Sequence, residues 1–326
     1  MNSGNFFRYG IYKSPLVRRI ALWLDEMPHP MIACEIGANS VAAARWTRAG
    51  LESYAVDALA PGALLPNAVE TNLLQEDEVR ASVGRVFERL RVKKEEDVAL
   101  IVPDAVIRVF VLHFDVFPRA PEEALPLLRW RLKKSVPFET EETLISYMRQ
   151  APREDGIDVV TGLARLRIVR EYESLIESVG LLPGMVISST LAALPLITDD
   201  RPSLLARVAG TTLTTAILRG GILTGYRCIS LPADAAEVSP QAVLDEIYPL
   251  TAYYQDMWGE GIGQVRLSGL EGRTEEFRGT FENELQCPVS SLLTAAAAAG
   301  KIRASDQPLV ERGLDALIGW PLNQGA

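Results

Sequence analysis

Histidine and cysteine are scarce in this chain of 326 residues, with two of the first and three of the second. His29 and His113 leave few ways to assemble a Ser–His–Asp relay, and no G-x-S-x-G nucleophile turn occurs. Cys34, Cys228 and Cys287 are far apart and odd in number, so neither a disulfide framework nor a C-x-x-C metal site is indicated. A reducing compartment, the cytoplasm, suits them. No G-x-x-x-x-G-K-[ST] phosphate loop is present. Gly259-Glu-Gly-Ile-Gly precedes a predicted strand instead of opening a helix, which excludes the dinucleotide-binding reading. No apolar run reaches the roughly 18 residues of a membrane span. The first residues also lack the apolar block and small-residue cleavage site of an export signal. A basic excess is missing too: 33 Lys and Arg against 42 Asp and Glu give a net charge of −9, so no nucleic-acid partner is expected.

What is present is ordinary globular material, 48% hydrophobic and 23% charged. The length suits two compact units or one large two-lobed one. Residues 1–28 form a basic amphipathic segment. Arg8, Lys13, Arg18 and Arg19 precede the first acid, Asp25, and Leu16, Ile20, Trp23 and Leu24 follow Ser14-Pro15 at helical spacing. Such a helix packs on the body of a protein or lies on an anionic membrane surface.

In the body, apolar runs at 31–36 and 41–46, separated by Gly37-Ala-Asn-Ser, predict a β-hairpin, and 51–59 a third strand. A helix over 76–90 follows from Val79, Val83, Val86, Phe87 and Leu90. Strands at 97–102 and 107–112 come next. Residues 113–183 then predict a compact β-α-β-β-α unit. It contains a helix opening at Pro121 with an apolar face of Leu125, Leu128, Trp130 and Leu132. Arg129, Arg131, Lys133 and Lys134 on that helix read as a solvated face, or as a docking surface for an acidic partner. His113 reads as structural. After a strand at 185–188 and a short helix at 190–196, the opening pattern repeats. A strand at 204–209, the turn Gly210-Thr-Thr, and strands at 213–218 and 222–229 precede a helix at 240–257. A strand at 264–267, a helix at 273–285, an Ala-rich run at 294–299 and a closing helix at 310–318 complete the chain. Two halves that both start strand–Gly turn–strand indicate a structural duplication.

Three stretches resemble the PilM family, which belongs with FtsA in the actin-like superfamily. Ala33-Cys-Glu-Ile-Gly-Ala-Asn-Ser-Val is similar to the family's G-I-D-I-G-S-S-S-V hairpin. Ser135-Val-Pro-Phe-Glu is similar to its Y-I-P-F helix ending, and Tyr172 with Val179-Gly-Leu-Leu-Pro to its approach to the next lobe. The resemblance spans roughly residues 30–320. It implies a duplicated α/β actin-like (ribonuclease H-like) fold with a small inserted α+β subdomain at 113–183. The first lobe would be 29–112 plus 184–200 and the closing helix at 303–326, and the second lobe 201–302. It also implies an ATP site with Mg²⁺ in the cleft and a place on the inner face of the cytoplasmic membrane. The partner it implies is the cytoplasmic tail of a PilN-like bitopic membrane protein, with the pilus motor ATPase a further candidate.

Phosphate binding in this fold uses glycine and small hydroxyl residues at hairpin turns, whose N–H groups point at oxygens. Gly37, Ala38, Asn39 and Ser40 meet that need in the first half, and Gly210, Thr211 and Thr212 in the second. By the resemblance, Ser268, Gly269 and Leu270 form the turn against the adenosine. Hydrolysis needs carboxylates to hold Mg²⁺ and orient water. The family's first Asp is replaced here by Glu35. Its second is absent, with Arg207 or Val208 in its place, and the closing G-L-A-L-R reads Gly313-Leu-Asp-Ala-Leu. These departures point to a scaffold of a pilus or type II secretion-like platform with a degenerate nucleotide site and no catalytic residue assigned. The alternatives are an active ATPase or kinase of the same superfamily, and the cytoplasmic half of a GspL-type secretion protein.

Overall fold

The computed structural model describes residues 30–232, 237–270 and 272–324. The predicted N-terminal amphipathic helix lies outside the described residues. The chain from Pro30 onward builds two five-stranded sheets of the same design. In the first, β1 (Ile32–Ile36), β2 (Ser40–Thr47), β3 (Gly50–Ala58), β4 (Asp97–Val102) and β8 (Leu182–Ser188) lie in the order β3-β2-β1-β4-β8. In the second, β9 (Ser203–Ala209), β10 (Thr212–Arg219), β11 (Ile222–Ser230), β12 (Gln264–Ser268) and β13 (Val289–Ser291) lie in the order β11-β10-β9-β12-β13. The senses match as well. β1 and β9 each pair antiparallel with the following strand and parallel with β4 and β12. The duplication read from the repeated strand–turn–strand pattern is therefore a duplication of topology.

The inner strands are apolar without alternation because both of their faces are covered. In β4 every residue from Val98 to Val102 is buried. One cover is α1 (Glu76–Leu90), which turns Val79, Val83, Val86, Phe87 and Leu90 inward and carries Glu76, Asp77 and Glu78 in its first turn, where the helix dipole favours acids. In the second lobe α5 (Pro240–Trp258), capped by Ser239 through its bond to the Ala242 N–H, does the same work. A helix α6 (Thr274–Leu285) buries Phe277 and Phe281 beside it.

Between β4 and β8 the chain makes a three-stranded antiparallel sheet, order β5-β7-β6, from β5 (Arg108–Phe114), β6 (Thr143–Arg153) and β7 (Gly156–Arg165). Helix α2 (Pro121–Leu132) covers it. The helix buries Ala124, Leu128 and Leu132, four residues apart, and leaves Trp130 72% exposed. The sequence-based face placed Trp130 inside; the i, i+4 stripe excludes it because residue 130 lies two positions off that line. Helix α3 (Leu166–Ser178), grouped by sequence with this insert, packs on the first sheet. Its Ile168, Val169, Tyr172, Leu175 and Ile176 join that lobe's core, while the insert keeps a small core of Phe117, Ala124, Leu128, Ile157 and Val159.

Short helices line the middle of the molecule: α4 (Ser189–Ala193), α7 (Leu292–Ala298), α8 (Gln307–Val310) and α9 (Asp315–Gly319). The sequence predicts a single closing helix over 310–318. Gly313, at φ +68°, breaks it and lets Asp315 start a new helix that points into the cleft.

Candidate functional site

Both hairpin turns and the ends of β4 and β12 face a cavity of about 1050 Å³ between the lobes. Every residue singled out by sequence for nucleotide contact lines it: Glu35, Gly37, Ala38, Asn39, Ser40, Gly210, Thr211, Thr212, Ser268, Gly269 and Leu270. They come from the end of β1 and three separate turns, brought together because the two sheets present the same ends to each other. The β1–β2 turn is closed by the Gly37 N–H donating to the Ser40 carbonyl at 2.9 Å. The Leu231 N–H donates to the Thr211 carbonyl at 2.7 Å and pins the second turn. Gly269 sits at φ +74°, and a Cβ there would lie 1.8 Å from the Val208 carbonyl oxygen. Only glycine lets the Ser268–Gly269–Leu270 turn lie this close to β9.

The cleft floor is ionic. Arg207 projects from β9, and its Nη1 is bonded to Asp315 Oδ1 at the start of α9. Its Nη2 lies 3.3 Å from Glu35 Oε1 on β1. Ser189 donates to the same Glu35 oxygen at 3.1 Å, and Ser268 donates to Asp315 Oδ2. Arg207 therefore faces Glu35 across the cleft, while Val208 is turned into the second-lobe core. The arginine's partners among the described residues are thus two carboxylates, Glu35 and Asp315.

Burial is the main influence on Glu35 and pushes its carboxyl up to about 7. Arg207 opposes the rise, Asp315 and Asp104 add to it, and the Ser189 bond opposes it. One carboxylate oxygen, Oε2, is buried without a hydrogen-bond partner, a setting that disfavours the charged form. For Arg207, burial alone would lower the pKa; Asp315, Glu35 and Asp104 more than reverse it, and the guanidinium stays charged.

A second polar knot lies beside the first. Asp104, just past β4, accepts from the Thr190 N–H at 2.8 Å and the Thr190 hydroxyl at 2.6 Å, and so holds the start of α4. Tyr226 of β11 donates to it from the other lobe at 3.3 Å. Asp104, Ser189 and Asp315 are the site residues that sequence reading passed over as participants. Each follows a predicted apolar strand or a glycine, which was the available signal.

Mg²⁺ does not fit this floor. The position opposite Glu35 holds a guanidinium, and Asp315 is bonded to it and to Ser268. Among the described residues no group of three or more His, Cys, Asp or Glu could hold a metal ion. His113, on β5, pairs with Asp158 of β7 at 2.9 Å within the insert. No helix among the described residues is long and apolar enough to cross a membrane.

No family model matches the sequence, and no curated protein sequence matches it significantly. Solved structures do. A chain described as a PilM–PilN type IV pilus biogenesis complex is similar at a TM-score of 0.71 and 16% identity, over 92% of this chain and 100% of that one. A Bacteroides thetaiotaomicron protein of actin-like ATPase fold and unknown function is similar at 0.50 and 11%, over 86% and 95%. The cytoplasmic domain of EpsL, from the type II secretion system of Vibrio cholerae, gives 0.47 and 13%, over 83% and 96%. Matched sheets across a cleft, with the likeness at 0.71 and 0.50 over most of the chain, the second to a structure of actin-like ATPase fold, establish that this protein has that fold.

Proposed function

We propose that this protein is a non-catalytic scaffold of a type IV pilus or related secretion platform at the inner face of the cytoplasmic membrane. Its partner is the cytoplasmic tail of a PilN-like membrane protein. The observation that carries the reading is the cleft floor, where Arg207 is paired with both Glu35 and Asp315; by the resemblance, an acid that hydrolysis needs would stand at Arg207 or Val208. The likeness to a chain described with PilN points to the class of partner. The three glycine turns around the cavity remain a candidate cradle for ATP as a structural ligand, with no hydrolytic acid pair behind it.

The insert supplies a site for an extended peptide. Among the described strands β6 pairs with β7 alone, so its outer edge offers main-chain N–H and C=O groups. A peptide added there gains ladder hydrogen bonds, and pockets for alternate side chains give selectivity. Calorimetric titration of the purified chain with a synthetic PilN-like N-terminal tail tests the reading. Saturable 1:1 binding is expected, without ATP turnover. Lack of binding rules out the scaffold role as stated, and turnover abolished by Glu35→Ala rules out the non-catalytic one.

A further inference from the structure

The floor of the cleft joins the two lobes through four side chains, and the donors and acceptors are sorted by lobe. The second lobe gives the donors, Arg207 of β9 and Ser268 at the end of β12. The first-lobe side gives the acceptors, Glu35 of β1 and Asp315 of α9, a helix whose Ala316, Leu317 and Ile318 are packed in the first-lobe core. Arg207 and Asp315 are almost fully buried, with side-chain exposures of 9% and 2%. We propose that the Arg207 guanidinium is this protein's resident replacement for a divalent cation, holding the two lobes closed without metal.

The chemistry is that of a cation between facing carboxylates. A divalent ion at such a place neutralises acids from both sides and ties them together. A guanidinium does the same with directed N–H bonds in a planar fork, and it is more easily stripped of water than an ammonium. Arg207 uses Nη1 for one acid and Nη2 for the other, so a single side chain spans the cleft. A metal entering the same space would meet a fixed positive charge, and both acids would have to give up their present bonds. The latch is always present, so closure of the cleft is uncoupled from Mg²⁺ and from any Mg²⁺–nucleotide. The inference deepens the non-catalytic reading of the cleft and is independent of the membrane partner. Peptide and metal titrations therefore fail separately.

The test uses the full chain, Mn²⁺ followed by its free-ion electron paramagnetic resonance signal, and thermal unfolding in EDTA, in Mg²⁺, and with ATP added to each. Wild type is expected to leave the Mn²⁺ signal undiminished, and any shift with ATP is expected to be the same in EDTA and Mg²⁺. Arg207→Gln opens the latch and leaves two facing acids. Its midpoint should fall by roughly 5–10 °C in EDTA and recover in part with Mn²⁺, with one Mn²⁺ taken up per chain. Stoichiometric Mn²⁺ uptake by wild type, or an ATP shift that requires Mg²⁺, overturns the proposal. So does an Arg207→Gln protein as stable as wild type in EDTA. If that variant does not fold, the wild-type titrations alone still decide whether the cleft takes a metal.

Discussion

Glu35 and Asp315 share one cation, and they are not equivalent. Burial holds Glu35 up to about 7, against an ordinary value of 4.5. The folded protein thus keeps a proton that the unfolded chain releases. The stability from this group is complete below about 4.5 and is lost as pH rises through about 7. Glu35→Gln removes the titration. Between pH 5 and pH 8, urea unfolding should show the variant gaining on wild type by on the order of 3 kcal/mol. Glu173, buried on α3 and also pushed up to about 7 with burial the largest cause, adds a decline of the same sense to both proteins and cancels from the difference. An unchanged difference between the two pH values would show Glu35 to be ionised throughout. Asp315→Asn is the harsher change, because it leaves a buried guanidinium short of its principal counter-charge. A loss of about 3–5 kcal/mol is expected at pH 7, measured by the same unfolding. None of this hierarchy was visible in sequence. The missing acid of the second strand was legible as Arg207 or Val208 and the Gly313-Leu-Asp run as a departure from the closing motif, but nothing local pairs Arg207 with Asp315 more than a hundred residues away.

At the scale of elements, glycine decides where two helices meet. Helices α4 and α9 cross at the back of the cleft, and a Cβ on Gly319 would lie 2.3 Å from the Ala192 carbonyl oxygen and 2.9 Å from the Ala193 Cα. Backbone cannot step aside as a side-chain tip can. Gly319→Ala should therefore cost about 3 kcal/mol or more, read as a lowered urea midpoint. Gly84, inside α1 with nothing within 4 Å of its Cβ position, gives the opposite sign. Gly84→Ala should raise stability by about 1 kcal/mol, and the pair of results separates close approach from helix propensity. The same contrast explains what was legible. Helix α1 was read to its true ends because its periodic apolar face and acidic first turn are local signals. Strand β13 was missed because Val-Ser-Ser is too short to carry a period, and it exists by pairing with β12. The closing helix was overrun because an apolar stripe continues through Gly313, whose backbone turn the stripe does not reveal.

At the scale of the whole molecule, the lobes are joined at the floor by Arg207 and at the rim by the insert. The Gln150 side chain on β6 behaves like a piece of strand toward β11. Its amide donates to the Leu223 carbonyl at 2.7 Å and accepts from the Leu223 N–H at 2.8 Å. Nearby, Arg153 of the insert and Arg219 of the second lobe lie over the Trp258 ring, 4.6 and 5.0 Å from its centroid. Two like charges are thus held together by one aromatic ring, with Asp155, Asp158 and Glu260 pairing them at their outer sides. The rim tie is polar and partly exposed, whereas the floor is buried, so the two should fail differently. In a Gln150→Ala, Trp258→Ala protein, amide exchange in β6 and β11 should quicken at least tenfold, as expected for losing about 1.4 kcal/mol or more of local protection. Exchange in β1 and β9 should stay as slow as in wild type, because the latch that spans them is untouched. Faster exchange in all four strands would mean that the insert and the floor open as one unit. In that event the edge strand proposed for the membrane partner's tail could not be occupied without moving the cleft as well.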